Sequence, residues 1–270
     1  YNLGGMGCSA GLVSIELAQN ALMAKPNAKA LVISTEIVGS AFYPGNDKSF
    51  LVGNTLFRDG ASAVLLSNSM WDYFFNAKFL LSTLVRTHHV AEGSLDCIQT
   101  GEDADHVWGC KLSKDIPKIA GKAMEKNFTT LGPQVLPYTE LFRVVYNMGA
   151  RAVQKVVDPA LKFSEKIAPY TPDFKTAVDH FCIHAGGRAV VDGIQKSLSL
   201  SNKQIEPSRH ALYSYGNTSS SSIWYELDYI RDQMDLKIGH KVLQVGFGSG
   251  FKCNTAVWTC LRHSGNTYKK

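Results

Sequence analysis

The 270-residue sequence predicts an α/β fold built on central sheets. Three observations carry that reading. Short β-rich apolar runs alternate along the chain with segments of helical periodicity. Turns of glycine and other small residues separate the two kinds of segment. Apolar residues make up 45% of the chain and charged residues 19%, a balance that buries a sizeable core and opposes disorder.

The elements follow in order. Residues 8–25 place Leu12, Ile15, Leu17, Ala18 and Leu22 at helical spacing, and Pro26-Asn27 stops the run. AKALVISTE (28–36) reads as a buried strand. LFRDGASAVLLSN (56–68) reads as two short strands joined at Asp59-Gly60, a strong turn dipeptide. Residues 78–100 are strand-like and contain RTHH (86–89). SKDIPKIAGKAMEKNFTTLG (113–132) reads as a helix with Ser113 as N-cap and Gly132 as its stop. The stretch 133–172 is set off by Pro133, Pro137, Pro159, Pro169 and Pro172. Within it, 140–158 is an amphipathic helix suited to a core, a lid, a membrane surface or plain surface packing. DHFCIHAGGRAVVDGIQKSL (179–198) reads strand, glycine turn, helix. ALYSYGNTSSSSIWYELDYIRDQ (211–233) reads strand end, small polar turn, helix, and HKVLQVGFGSGFKCNTAVWTCL (240–261) reads strand, glycine-rich bend, strand.

The totals exclude several function classes. A net charge of +5 without a clustered Lys/Arg stripe does not suit nucleic acid, while it is compatible with an anionic cofactor-like substrate. The six cysteines (Cys8, Cys97, Cys110, Cys182, Cys253, Cys260) show no metal-type pairing and no disulfide framework, so reduced thiols facing a compartment such as the cytosol are expected. No apolar run reaches the roughly 18–20 residues that span a bilayer. No signal peptide precedes Cys8, and the first residue is Tyr1 rather than Met, so the expectation is a partial chain whose anchor lies upstream.

Four loops share one design, in which a small-residue turn holds one reactive group: GMGCSAG at Cys8, IHAGG at His184, YGNTSSSS at Asn217, and GFGSGF at 246–251. Small residues let a ligand approach the backbone and free N–H groups to point at it. Cys8 precedes a helix, whose N-terminal N–H groups and dipole favour the thiolate and lower a thiol pKa. A small buried hydrophobe is the competing reading of Cys8. His180 competes with His184, and Asn217 alone would be an ordinary turn residue.

GMGCSAG, HFCIHAGGRAV, GNTSSSSIWYEL and VGFGSGFKCN, in this order, resemble the plant 3-ketoacyl-CoA synthases. VRTH (85–88), LSKDI (112–116), TTLGP (129–133) and PDFK (172–175) fit the same family, whose wider relatives are β-ketoacyl-ACP synthases III and chalcone and stilbene synthases. The chain departs from the family at Tyr213, where a His often precedes the catalytic Asn, and after RTHH. The resemblance implies a thiolase-like fold, layered αβαβα from a duplicated βαβαβαββ unit, with its first half incomplete. Residues 1–104 would be the remainder of the N-terminal half. Residues 105–270 would be the C-terminal half, with 133–172 inserted.

The resemblance also implies the chemistry. Cys8, His184 and Asn217 would be catalytic, with His88 and His180 in support. Cys8 would take the acyl group from an acyl-CoA. Backbone N–H groups at Cys8 and in the Gly246, Gly248, Ser249, Gly250 loop would hold the oxyanion. His184 Nε2–H and the Asn217 amide would then steady the enolate left when malonyl-CoA loses CO2. No metal or redox cofactor is expected. A homodimer is implied, with elongase reductase and dehydratase partners, held at the endoplasmic reticulum membrane by upstream segments with the catalytic domain facing the cytosol. The rivals are a type III polyketide synthase-like enzyme, a Cys–His–Asn hydrolase, and an inactive fragment acting at most as a binding partner.

Overall fold

The computed structural model describes residues 1–88, 93–157 and 166–262. His89 of RTHH and Pro159 of the 133–172 segment lie outside them. The central element is a four-stranded sheet of β3 (Phe79–His88), β8 (Lys252–Cys260), β7 (Lys241–Gly248) and β6 (His180–Ile183), in that order. β3 and β7 both run antiparallel to β8, and β6 runs parallel to β7. A parallel pair needs a long crossover. Here it is supplied by α6 (Arg188–Ser197), α7 (Asn202–Tyr215) and α8 (Ser222–Gln233).

The period of two in a strand sorts this sheet into two faces. Phe181, Ile183, Leu243, Val245, Phe247, Cys253 and Val257 pack on one side with α6 and with α4 (Ile116–Val135). Cys182, Val242, Ala256, Trp258 and Cys260 pack on the other with α8 and with α1 (Ala10–Met23). Strands covered on both faces read as continuous apolar runs, which is why VLQVGFG and CNTAVWTC are legible as strands.

β1 (Lys29–Glu36) and β2 (Gly60–Ser67) form a separate antiparallel pair beyond α1. The expected buried strand at 28–36 is therefore corrected: Leu31 and Ile33 are exposed on its bare face. Residues 56–60 are not a hairpin either. α2 (Lys48–Leu56) starts at an Asp47 cap, whose carboxylate accepts from Ser49 N–H at 2.7 Å, and ends at Leu56. Asp59 instead accepts from Val38 N–H at 2.6 Å.

A short helix α3 (Met70–Phe75) leads into β3, and β4 (Ile98–Glu102) pairs with β5 (Trp108–Leu112). The expected division at 104/105 falls inside that hairpin. α4 is capped at Asp115, whose N–H donates to the Ser113 hydroxyl, and it continues through Gly132 and Pro133 to Val135. Burial of Leu131 and Leu136 outweighs the missing proline donor near the helix end.

α5 (Tyr138–Val157) is the expected amphipathic helix, but it is not a core helix, since Glu140 is its buried residue. Glu140 accepts from Tyr170 Oη at 2.7 Å, Asp173 N–H at 3.0 Å and Arg143 at 2.6 Å, which pins one face of α5 while Phe142, Val145 and Tyr146 stay exposed. Residues 211–215 are helix rather than strand end. A capping box of Ser201 and Gln204 starts α7, and Ile205, Ser208 and Ala211 are buried along it. Among the described residues no helix is long and apolar enough to cross a membrane.

One buried amide ties α4 to the sheet. Asn127 Nδ2 donates to the carbonyls of Val85 (3.2 Å) and Cys253 (2.9 Å), and its Oδ1 accepts from the Thr255 hydroxyl at 2.8 Å. Replacing it leaves those buried groups unpaired. Asn127→Leu is predicted to cost about 2–4 kcal/mol. Urea unfolding followed by circular dichroism measures this, and an unchanged midpoint contradicts it.

Candidate active site

Four chain segments meet at the C-terminal end of β6. A single 3-10 turn, Gly7–Ser9, carries Cys8 into α1. Ser9 Oγ donates to the Met6 carbonyl at 2.8 Å and closes this turn. Gly248, at the end of β7, lies directly against it: a Cβ there would sit 2.7 Å from the Met6 carbonyl oxygen and overlap the Ser9 side chain. Glycine at 248 is thus required for the two backbones to touch. Gly11 plays the same part toward the next loop, where a Cβ would overlap the Ser220 carbonyl oxygen.

His184 follows Ile183, and its N–H donates to the Val245 carbonyl at 2.9 Å, so β6 pairing continues one residue further. The alternation then turns its ring to the α1 and α8 side of the sheet. His184 is buried, and its Nδ1 lies 2.8 Å from Ser222 Oγ. Among the described residues Nε2 makes no hydrogen bond.

Asn217 is clamped by backbone: its N–H donates to Leu56 O at 2.8 Å, and its carbonyl accepts from Arg58 N–H at 3.0 Å. This bridge is the use the fold makes of residues 56–58. The Asn217 Oδ1 accepts from Ser219 N–H at 2.9 Å, which directs the amide –NH₂ toward Gly186 O, 3.4 Å away. The amide is therefore presented as a donor.

Cys8, His184 and Asn217 line one cavity of about 380 Å³. Its walls are chiefly apolar, including Leu56, Ile98, Ile116, Val190, Phe247 and Phe251. Of the four loop residues singled out in the sequence, Gly248 lines this cavity. Gly246 sits within β7 against Leu12, Ser249 packs on Gly7, and Gly250 takes a left-handed turn conformation at φ 67°. The two supporting histidines are not brought to the site. His180 is at the opposite end of β6, roughly 13 Å away at strand spacing, and its Nε2 meets His240 Nδ1 at 3.1 Å. His88 ends the edge strand β3, where it is exposed and opposite Lys252.

Residues 1–153 match the family described as FAE1/Type III polyketide synthase-like protein, and residues 171–262 match the C-terminal domain of chalcone and stilbene synthases. The chain belongs to the FAE1/type III polyketide synthase-like family. It is 48% identical over 263 residues to 3-ketoacyl-CoA synthase 6 of Arabidopsis thaliana, covering 97% of this chain and 51% of that protein. It is 50% identical over 265 residues to 3-ketoacyl-CoA synthase 2 of the same plant, covering 97% and 48%. The probable 3-ketoacyl-CoA synthase 20 of Oryza sativa subsp. japonica is 49% identical, with 97% and 49% covered. The chain thus spans about half the length of the curated relatives it matches.

Among solved structures, the type III polyketide synthase domain of Steely1 from Dictyostelium superposes with a TM-score of 0.66 at 20% identity, over 96% of this chain and 61% of that one. A type III pentaketide synthase from Neurospora crassa gives 0.67 at 20% identity, over 96% and 64%. At that identity the likeness is one of fold, and it is the thiolase-like α/β fold that the family resemblance implied.

Within this site, burial decides the electrostatics. Cys8 is half-buried among apolar walls, and that desolvation pushes its thiol up to about 11, against a hydrogen bond from Ser219 that favours the thiolate. The nearby Glu36 carboxylate raises it further. The expected thiolate-favouring helix terminus is therefore overridden at rest. Burial lowers the His184 pKa to about 4, so at neutral pH the pair is thiol and neutral imidazole.

Sequence reasoning also missed four groups around the triad. Ser219 touches the Cys8 sulfur and is held at φ 53°, a costly conformation for a non-glycine residue. Ser222 touches His184. Glu36 accepts from Ser220 Oγ at 2.6 Å. Glu226 accepts from Ser208 Oγ at 2.6 Å, and that hydroxyl accepts from Ile183 N–H at 2.9 Å, which anchors the strand end before His184. The Ser219–Ser222 run was the one visible signal.

The pKa order predicts a pH profile. Alkylation of Cys8 by iodoacetamide, read from the mass of its tryptic peptide, is expected to rise about tenfold per pH unit from pH 7 to pH 10. A rate that is already flat above pH 7 contradicts a thiol held at about 11.

Proposed function

We propose that this site performs a decarboxylative Claisen condensation, joining a long-chain acyl-CoA to malonyl-CoA to give 3-ketoacyl-CoA, CoA and CO2. The observation that supports it best is the meeting of Cys8, His184 and Asn217 on one apolar cavity. An apolar wall suits a hydrocarbon chain, and a neutral, dry site suits charge that appears only during reaction.

In the first half-reaction the Cys8 S–H proton passes to His184 Nε2, and sulfur attacks the acyl thioester carbonyl. CoA leaves as its thiol, taking a proton from the imidazolium, whose depressed pKa makes it the acid of the site, and the ring returns to its neutral form. Backbone N–H groups at Cys8 and in the 246–250 loop hold the tetrahedral oxyanion. In the second half-reaction, malonyl-CoA loses CO2. The enolate oxygen left behind accepts from His184 Nε2–H, the neutral ring now carrying its proton on that nitrogen, and from the Asn217 amide. The enolate carbon then attacks acyl-Cys8 and expels the Cys8 thiolate, which takes a proton from solvent and restores the starting pair of thiol and neutral imidazole.

For the whole protein, we propose an elongase condensing enzyme that works as a homodimer at the endoplasmic reticulum membrane with reductase and dehydratase partners and without a metal or redox cofactor. Its kinship with proteins named 3-ketoacyl-CoA synthase supports this.

The two half-reactions separate by mutation. Cys8→Ser is predicted to abolish the acyl adduct detected by intact-protein mass spectrometry after incubation with acyl-CoA. Asn217→Ala is predicted to retain the adduct but to release CO2 from malonyl-CoA about a hundredfold more slowly, the usual cost of one lost oxyanion donor. Equal labelling of Cys8→Ser, or undiminished CO2 release by Asn217→Ala, contradicts these roles.

A further inference from the structure

Helix α5 is amphipathic in the reverse of the usual sense. At about 3.6 residues per turn, Glu140, Asn147 and Gln154 share one face. That polar face is turned toward the protein, and residues 167–173 run back along it. Glu140 accepts from Asp173 N–H at 3.0 Å and from Tyr170 Oη at 2.7 Å. Asn147 donates to the Ala168 carbonyl at 3.1 Å and accepts from Tyr170 N–H at 3.0 Å. Gln154 accepts from Ile167 N–H at 2.9 Å. The opposite face carries Tyr138, Phe142, Val145, Tyr146, Val153 and Val156, each between 62% and 82% exposed.

We infer that this outward face of α5 is a docking surface for an anionic bilayer, with the helix lying flat in the interface. The inference gives this chain a membrane contact of its own, and it rests neither on the condensing chemistry nor on any membrane-spanning segment. Among the described residues, none of α5 lines the cavity that holds Cys8, so the face is not part of the site described above.

An apolar stripe about 30 Å long, left in water, marks a surface that something covers. Charge selects the cover. α5 carries Arg143, Arg151 and Lys155, and its one carboxylate, Glu140, is buried and already bound by Tyr170 and Arg143. By the helix period, Arg143 and Lys155 stand on opposite borders of the apolar stripe, and Arg151 lies one turn before Lys155. Arg151 and Lys155 are exposed. A bilayer interface has matching layers. Acyl carbon meets the stripe, lipid phosphates meet the bordering cations, and the headgroup zone suits the Tyr138 and Tyr146 hydroxyls. A second copy of the chain fits worse. Two such helices meeting stripe to stripe would bring both sets of cations together, with no exposed carboxylate on either helix to answer them.

The same polar face decides that α5 lies on the membrane and does not cross it. Inserted through hydrocarbon, Glu140, Asn147 and Gln154 would lose the partners that residues 167–173 supply. Lying flat, the helix keeps those hydrogen bonds and buries only the side that is bare in water.

The test is co-sedimentation of the intact chain with phosphatidylcholine vesicles, with and without about 30% phosphatidylserine. Binding is expected on the anionic vesicles and should weaken with added salt. The double variant Phe142→Asp, Val145→Asp should weaken it about tenfold or more. Arg151→Gln and Lys155→Gln should each weaken it roughly fivefold. A photoactivatable phospholipid in the same vesicles should label peptides within 138–157 of the wild type, a result that needs no variant to fold. Four outcomes overturn the inference: a wild type that ignores the vesicles, binding indifferent to phosphatidylserine, undiminished binding by the double variant, or labels confined to other exposed apolar segments such as β1 and α3. A wild type that instead forms a dimer in sedimentation velocity, separated by Phe142→Asp, assigns the face to a second copy and overturns it too. Docking is read without turnover. A chain that docks yet never loads Cys8 would defeat the condensing role and leave the surface standing.

Discussion

The site depends on backbone touching backbone where α1 begins. Cys8, His184 and Asn217 come from segments far apart in the chain, and side-chain packing would hold those segments several ångströms further apart. Gly248 against Met6 and Ser9, and Gly11 against the Ser220 carbonyl, remove the Cβ atoms that would hold the loops apart. The central sheet supplies the other half of the constraint. Its alternation sends odd-numbered residues of β6 and β7 into the α4 and α6 core and turns His184 to the side where α1 and α8 lie.

That closeness has an electrostatic consequence. Packing three loops and an apolar cavity around Cys8 strips water from the thiol and from His184, and both are held in their neutral forms. A resting ion pair would need the thiolate to gain more from the helix terminus and the Ser219 hydroxyl than it loses in hydration, and the burial effect is the larger. The reaction proposed for the site would therefore begin with a proton transfer coupled to substrate attack. On the proposed reaction, the Asn217 amide and the His184 ring, held by Ser219 N–H and Ser222 Oγ, would meet charge that forms only during turnover.

Much of this was legible in the sequence wherever a local pattern carried the information. The strand, turn and helix of 180–198 show in their periodicity, and the small-residue turns mark Cys8, His184 and Asn217. Their meeting was legible only through likeness to a family. Local pattern failed where a tertiary partner decided the outcome. Residues 211–215 look strand-like because of their aromatics, but the cap at Ser201, ten residues earlier, commits them to helix. Asp59-Gly60 carries a hairpin signal, yet its neighbours serve as the clamp for Asn217. Ser222 reads as part of a featureless serine run, because its contact with His184, 38 residues away, exists only in the folded chain. The thiol argument failed for a similar reason, since a helix terminus is a local feature and desolvation is not.

The central claim is that Cys8 carries an acyl group and passes it to a malonyl-derived carbon. The direct measurement is mass analysis of the Cys8 peptide and of the CoA products after acyl-CoA is added, followed by malonyl-CoA. The account predicts an acyl adduct on Cys8 that is discharged only when malonyl-CoA arrives, with CO2 and a 3-ketoacyl-CoA two carbons longer than the acyl group supplied. An unmodified Cys8, or an adduct that leaves as free acid whether or not malonyl-CoA is present, would contradict it.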